Sequence, residues 1–110
     1  MLQAIMVLTN VPDAPTAQLM ARALVEQRVA ACVTILPGAQ SVYRWRGAIE
    51  EAGEVTLLVK STSTRYAELE AAIKSLHPYD VPEIIALSIV DGLPAYLDWI
   101  AQETKKDMDV

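Results

Sequence analysis

Residues 30 to 60 carry two β-rich runs on either side of a single turn dipeptide, Arg46–Gly47, and nothing else in the chain constrains its fold as strongly. The first run begins as AACVTIL (Ala30–Leu36), is interrupted by Pro37–Gly38 and resumes its alternation as SVYRW (Ser41–Trp45). The second returns as AIEEAGEVTLLVK (Ala48–Lys60). Drawn out as one strand, Ala30–Trp45 would span roughly 50 Å at about 3.3 Å per residue. A compact domain of 110 residues has a diameter near ~34 Å, so the hairpin outreaches its own globule. Two consequences are expected together. Pro37–Gly38 bends the arm as a bulge, and the tip leaves the globule to pack on a neighbour.

The flanking segments supply the rest of the architecture. LQAIMVLT (Leu2–Thr9) is nearly continuously apolar and reads as a central strand, followed by a turn at Asn10–Asp13. Asp13, with Pro15 just after it, marks a helix start. Ala17, Met20, Ala21, Leu24 and Val25 then recur at helical spacing, with Gln18, Arg22, Glu26 and Arg28 on the other side. After the hairpin, Ser61–Ser63 offers N-cap candidates, and Tyr66, Leu69, Ile73 and Leu76 define a second amphipathic helix that His77–Pro78 stops. HPYDVPE (His77–Glu83) is stiffened by two prolines. Ile84–Val90 reads as a strand, Asp91–Gly92 as a turn and Ala95–Glu103 as a short helix. The order β-α-β-β-α-β plus a C-terminal helix predicts an α+β fold, the split βαβ pattern of a ferredoxin-like sandwich, as a single domain over residues 1–110. Two helices would cover one sheet face. The third helix and a partner subunit are the candidates for the other.

Composition supports a buried subunit interface. Apolar residues make up 53% and charged residues 21%, with mean hydropathy +0.26, which excludes a disordered chain and is unusually apolar for a small soluble one. Fourteen acidic against nine basic residues give a net charge of −5. The only basic cluster is Lys105–Lys106, so nucleic acid is disfavoured as a partner. Cys32 is the sole cysteine and has no intrachain partner. No run approaches a membrane span and no signal-like segment is evident, so the cytoplasm is the expected location.

Few residues could carry chemistry. His77 is the only histidine; it reads either as a polar cap at a helix C-terminus or as a ligand, with Asp80 and Glu83 following at three-residue intervals that the prolines prevent from forming a helical face. Cys32 reads as a small buried hydrophobe with no adjacent base to activate it. Glu50, Glu51 and Glu54 form an acidic run. Glu50 and Glu54 share a strand face roughly 13 Å apart, too far to chelate one ion together, and Lys60 has the same parity. A solvated, charged hairpin arm is the plain reading of that run. Tyr43 and Trp45 fall on one face of the tip, while Tyr79, Tyr96 and Trp99 lie near the two-proline segment and the last helix. Large aromatics at the end of a protruding arm suggest an interface or a pocket wall. Arg44, Glu50, Lys60 and His77 among them would make a mixed ligand pocket. No catalytic constellation, glycine-rich phosphate loop or HExxH motif is present, so no enzyme is expected.

Taken together, PDAPTAQLMARALVEQRVAACVTILPGAQSVYRWRGAIEEAGEV, LHPYDVPEIIAL and AYLDWI resemble the CutA family of divalent-cation tolerance proteins in order and spacing over nearly the whole chain. The resemblance implies a ferredoxin-like fold, a tight cytoplasmic homotrimer and a long hairpin packed across subunits. It also implies binding of copper or other divalent cations and a role in the response to metal ions. The trimer's architecture is similar to that of the P-II signalling proteins, a likeness of fold alone. The positions that match the family's inter-subunit cleft are Tyr43, Trp45, Glu50, Lys60, His77, Tyr79, Glu83 and Trp99. Thr9 and Leu76 stand where bacterial members with a proposed copper site have a cysteine and the first of two histidines.

The resulting expectation is a non-enzymatic, cation-associated homotrimer with no obligatory cofactor and weak Cu²⁺ or Zn²⁺ coordination by His77 and Glu83. The rival expectation is a P-II-like sensor holding a small anionic metabolite in the inter-subunit cleft. Tyr43, Trp45 and Trp99 would supply its walls and Lys60 its charge.

Overall fold

The computed structural model describes residues 3–106. Along the chain come β1 (Ala4–Val11), α1 (Ala14–Glu26), β2 (Cys32–Trp45), β3 (Ala48–Thr62), α2 (Tyr66–Leu76), β4 (Ile85–Ser88) and α3 (Pro94–Glu103), with a 3₁₀ turn at Ser63–Arg65 leading into α2. The strands form one antiparallel sheet in the order β2-β3-β1-β4, so β1 is central as its apolar run requires. Leu2, expected at the head of that strand, lies outside the described residues.

Local chemistry explains most of the element ends. The Asp13 carboxylate accepts the Thr16 N–H at 2.9 Å, and Pro15 sits in the first turn of α1, where its missing N–H costs nothing. α1 closes on Arg28 in the left-handed region at φ 61°. The hairpin turns through Arg46 and Gly47 at φ 50° and 83°, the pair of positive angles that suits a two-residue loop between right-twisted strands. The β2–β3 register shifts between Leu36 and Ala39, with Gly38 at φ 85°, so Pro37–Gly38 is the expected bulge.

Several boundaries follow pairing rather than local composition. β1 runs on to Val11, through residues expected to turn, because Asn10 and Val11 are still paired with Thr56 and Val55. β3 extends to Thr62 opposite Ala4. β4 is shorter than expected, since it pairs with β1 only through Ile5–Leu8. α2 begins after a 3₁₀ turn with no side-chain cap, so Ser61–Ser63 does not cap it.

α1 and α2 cover one face of the sheet. Ile5, Val7 and Val11 of β1 and Val55, Leu57 and Val59 of β3 meet Met20 and Leu24 of α1 and Leu69 and Ile73 of α2 in one buried cluster. The opposite face is only partly covered. α3 buries Ile100, and Thr104 just beyond it meets Thr62 at 3.4 Å, which closes one end of that face. Leu36, Ile85 and Leu87 remain 45%, 50% and 45% exposed. The molecule measures 49 × 30 × 22 Å, longer than the ~34 Å globule of this chain length. Its accessible surface is 7026 Å², against about 6,000 Å² for a compact monomer of this mass.

Candidate functional site

β1 ends at Val11 opposite Val55, so from Ala39 to Glu54 the β2–β3 hairpin continues with no third strand beside it. At the base of this arm the two-proline segment crosses the end of β1, and the two meet through a connected set of hydrogen bonds. His77 is 9% exposed and lies 2.8 Å through Nε2 from the Asn10 carbonyl. Its Nδ1 accepts the Tyr79 N–H at 3.3 Å. This fixes the neutral tautomer with the proton on Nε2, which donates to Asn10. Burial lowers the His77 pKa, outweighing the Asn10 carbonyl and the Glu54 carboxylate, which act to raise it.

Tyr79 continues the chain of contacts. Its ring tilts against His77 with centroids 4.7 Å apart, and its hydroxyl donates to Glu54 Oε2 at 2.8 Å. Burial, then the bond to the Glu54 carboxylate, push the Tyr79 pKa up to about 12. Asn10 ties in the third partner. Its Nδ2 donates to Glu83 Oε1 at 3.2 Å, while its Oδ1 accepts from Thr56 Oγ1 at 2.6 Å. The end of β1, the arm base and both ends of the two-proline segment are thereby locked together.

Above this lattice lies a cleft of about 520 Å³ lined by Asn10, Ser41, Val42, Tyr43, Trp45, Glu54, Tyr79, Asp80, Val81 and Glu83. Of the residues expected at the site, Tyr43, Trp45, Tyr79 and Glu83 line this cleft, and His77 sits beneath it. Glu50 pairs with Tyr43 in the ladder and so shares its strand face, but it is not among the described residues that line the cleft. Lys60 and Trp99 are elsewhere. Lys60 lies six residues along β3 from Glu54, about 20 Å at strand rise, and donates to Thr34 Oγ1 at 2.7 Å. Trp99 stacks on Tyr96 of α3 with centroids 5.6 Å apart. Asn10, Glu54 and Asp80 were not expected among the cleft residues. Glu54 and Asp80 lay inside motifs the sequence singles out, whereas Asn10 carried no signal, since it looked like a turn residue.

The electrostatics are one-sided. Glu54, Asp80 and Glu83 contribute three carboxylates, and no Lys or Arg among the described residues lines the cleft. Within one subunit an anionic metabolite therefore has no charge partner there. Nor is a compact metal site preformed in one chain. No three His, Cys, Asp or Glu among the described residues converge to hold an ion. Both His77 nitrogens are engaged, and Glu54 and Glu83 each already accept a hydrogen bond. The two substituted donor positions turn away from the cleft. Thr9 is fully buried with the alternate residues Val7 and Val11 on the helix-covered face, and Leu76 packs against the core.

Comparison with known proteins agrees with this architecture. Residues 5–103 match the family described as CutA1 divalent ion tolerance protein. The divalent-cation tolerance protein CutA of Thermus thermophilus is 50% identical over 98 residues, covering 89% of this chain and 95% of that protein. Among solved structures, the divalent cation tolerance protein of Thermus thermophilus superposes with a TM-score of 0.91 at 48% identity, over 93% of this chain and 99% of that one. CutA from Xylella fastidiosa superposes with a TM-score of 0.90 at 43% identity, over 93% and 98%.

Proposed function

The chain belongs to the CutA1 divalent ion tolerance protein family, and from that premise we propose that it acts as a homotrimer that gathers divalent cations, and not as an enzyme. The observation that carries this reading is the unsupported arm. Val42 and Ile49 on one of its faces are each 67% exposed, and a two-stranded ribbon is marginally stable at best on its own in water. A neighbouring subunit supplies the missing layer. The same assembly accounts for Lys60 and Trp99, which one subunit leaves far from the cleft and a neighbour can bring to its mouth.

The proposed cation association is weak and oxygen-based. Glu83 and the carboxylates beside it are the donors, suited to hard or borderline ions. His77 joins Cu²⁺ or Zn²⁺ coordination only by giving up one of its two hydrogen bonds, that of Nδ1 with the Tyr79 N–H or that of Nε2 with the Asn10 carbonyl. A cytoplasmic setting is consistent with the lone, unpaired Cys32.

Sedimentation at micromolar concentration tests the assembly. The expected species has three times the mass of the 12.0 kDa chain, and a stable single chain would overturn the shared cleft. Calorimetric titration with Cu²⁺ tests the ligands. Glu83→Gln is expected to reduce the heat. His77→Ala giving heats and stoichiometry equal to wild type would remove His77 from the site.

A further inference from the structure

We infer that Asp91 is a site of spontaneous isoaspartate formation in the folded protein, and that this modification loosens the start of α3. The inference rests on neither the cleft, the trimer nor any metal. The reaction is intramolecular and needs only water besides the chain.

Residues 89–93 join β4 to α3 without helix or strand. The segment is pinned upstream, where the Ile89 N–H donates to the Ala4 carbonyl at 3.0 Å and the Ile89 carbonyl accepts from Gln3 Nε2 at 2.9 Å. Downstream, the Leu93 carbonyl accepts the Tyr96 and Leu97 N–H groups at 3.0 Å each. Between these anchors Asp91 and Gly92 are exposed. The Gly92 N–H donates to Asp91 Oδ1 at 2.9 Å, so the carboxyl carbon, one bond beyond that oxygen, is held beside the nitrogen that attacks it. Holding reacting groups together in this way lowers the barrier between them. Gly92 also has no side chain to shield its nitrogen. Among the described aspartates only Asp91 is so placed. Asp13 directs its carboxylate to the Thr16 N–H, Asp98 lies within α3, and Asp80 precedes the branched Val81.

Packing explains why so labile a pair stands here. A Cβ on Gly92 would come within 3.1 Å of Leu97 Cδ2 and 3.3 Å of its Cγ, so α3 approaches this closely only over a glycine. In the reaction the Gly92 nitrogen bonds to Asp91 Cγ, and its proton leaves as water with the hydroxyl of the protonated carboxyl. The product is a five-membered succinimide. Water then adds to one of the ring carbonyls. Breaking the Cγ–N bond restores aspartate. Breaking the bond between the Asp91 main-chain carbonyl carbon and the nitrogen leaves the chain running through Cβ and Cγ, with one more backbone atom and no change of composition. That extra atom shifts Gly92 against Leu97 and displaces Leu93. The start of α3 depends on Leu93, because it has no side-chain cap.

The test incubates the full chain, folded and at micromolar concentration, for several weeks at physiological temperature. Isoaspartate is then mapped by peptide digestion and methylation with an isoaspartate-specific methyltransferase. Isoaspartate in the Asp91 peptide is expected to exceed that at Asp80 or Asp98 by about tenfold or more. In the modified fraction α3 amides are expected to lose hydrogen-exchange protection while α1 amides keep theirs. Asp91→Glu, whose ring would need six members, should abolish the product. Asp91→Asn, which releases ammonia in place of water, should deamidate at position 91 before Asn10, whose side chain is held by Thr56 and Glu83. Isoaspartate absent from Asp91, equal accumulation at Asp80 or Asp98, appearance at Asp91 only after unfolding in urea, or α3 protection unchanged in the modified fraction would each overturn the inference.

Discussion

β2 and β3 pass through two environments without a break in their pairing. From Val55 to Thr62, β3 has β1 on its other edge and helices on one face, and Leu57 and Val59 are fully buried. Beyond the bulge the same two strands keep their ladder, from Ala39↔Glu54 to Trp45↔Ala48, but among the described residues no helix or further strand covers the tip, and Val42 and Ile49 stay exposed. The hydrogen bonds are of one kind in both halves, so they cannot explain the difference in burial. Layering does. The inner half is stabilised by apolar area removed from water, which is proportional to what lies on top of it. The outer half has satisfied backbone groups and little else, and its apolar residues become stabilising only when something outside the chain covers them.

Paired truncations test that contrast most severely. Leu57→Ala leaves a cavity in the core cluster and should cost about 2–5 kcal/mol by urea denaturation. Ile49→Ala on a lone chain should stay within about 0.5 kcal/mol, as an exposed change does. If a neighbour covers the arm, Ile49→Ala should cost more than that, and the loss should grow on dilution because unfolding is then linked to dissociation. Equal, concentration-independent losses at the two positions would erase the distinction between the halves.

Thr9 offers a smaller probe within the inner half. Its hydroxyl is fully buried and has no hydrogen-bond partner among the described residues, so it carries a desolvation cost with no return. Thr9→Val keeps the shape and removes the cost, and should raise stability by about 1 kcal/mol. A loss on that substitution would mean that the hydroxyl has a partner, such as a buried water.

The inner half was the more legible in the sequence, for a physical reason. Apolar alternation, the Asp13–Pro15 start signal and the Arg46–Gly47 turn act through near neighbours, so the element order could be read directly. Strand ends were misjudged where a distant partner decides them, as at Asn10 and Val11. The site divides the same way. Tyr43 and Trp45 share a face by strand parity alone, and the two-proline segment announced a rigid turn around His77. What His77 touches is a backbone carbonyl 67 positions away, and no side-chain pattern encodes that contact. Lys60 was grouped with the tip aromatics as a polar pocket residue, and both Lys60 and Trp99 with the cleft through the family resemblance. Strand rise along β3 separates Lys60 from Glu54 within one subunit.

The smallest effect concerns the junction between the two halves. His77 bonds to Asn10 of the body, and its neighbour Tyr79 bonds to Glu54 of the arm base. Burial holds the folded His77 pKa below the unfolded value of about 6.5. Between those two values the unfolded chain binds more protons. His77 therefore contributes stability that is present above about pH 6.5 and is lost as pH falls through the folded pKa. Protonation also removes the acceptor for the Tyr79 N–H, so the loss should begin at the arm base. At the alkaline end the sign reverses. The Tyr79 pKa is raised to about 12, so its contribution is intact below the ordinary tyrosine value and is lost as pH rises through about 12. Hydrogen exchange between pH 7.5 and 5 should show arm-base amides losing protection while amides around Leu57 keep theirs. In His77→Gln, whose amide can donate to Asn10 and accept from Tyr79, that pH dependence should flatten. If the body and the arm base lose protection together at low pH, His77 is not the joint between them, and the two halves unfold as one unit.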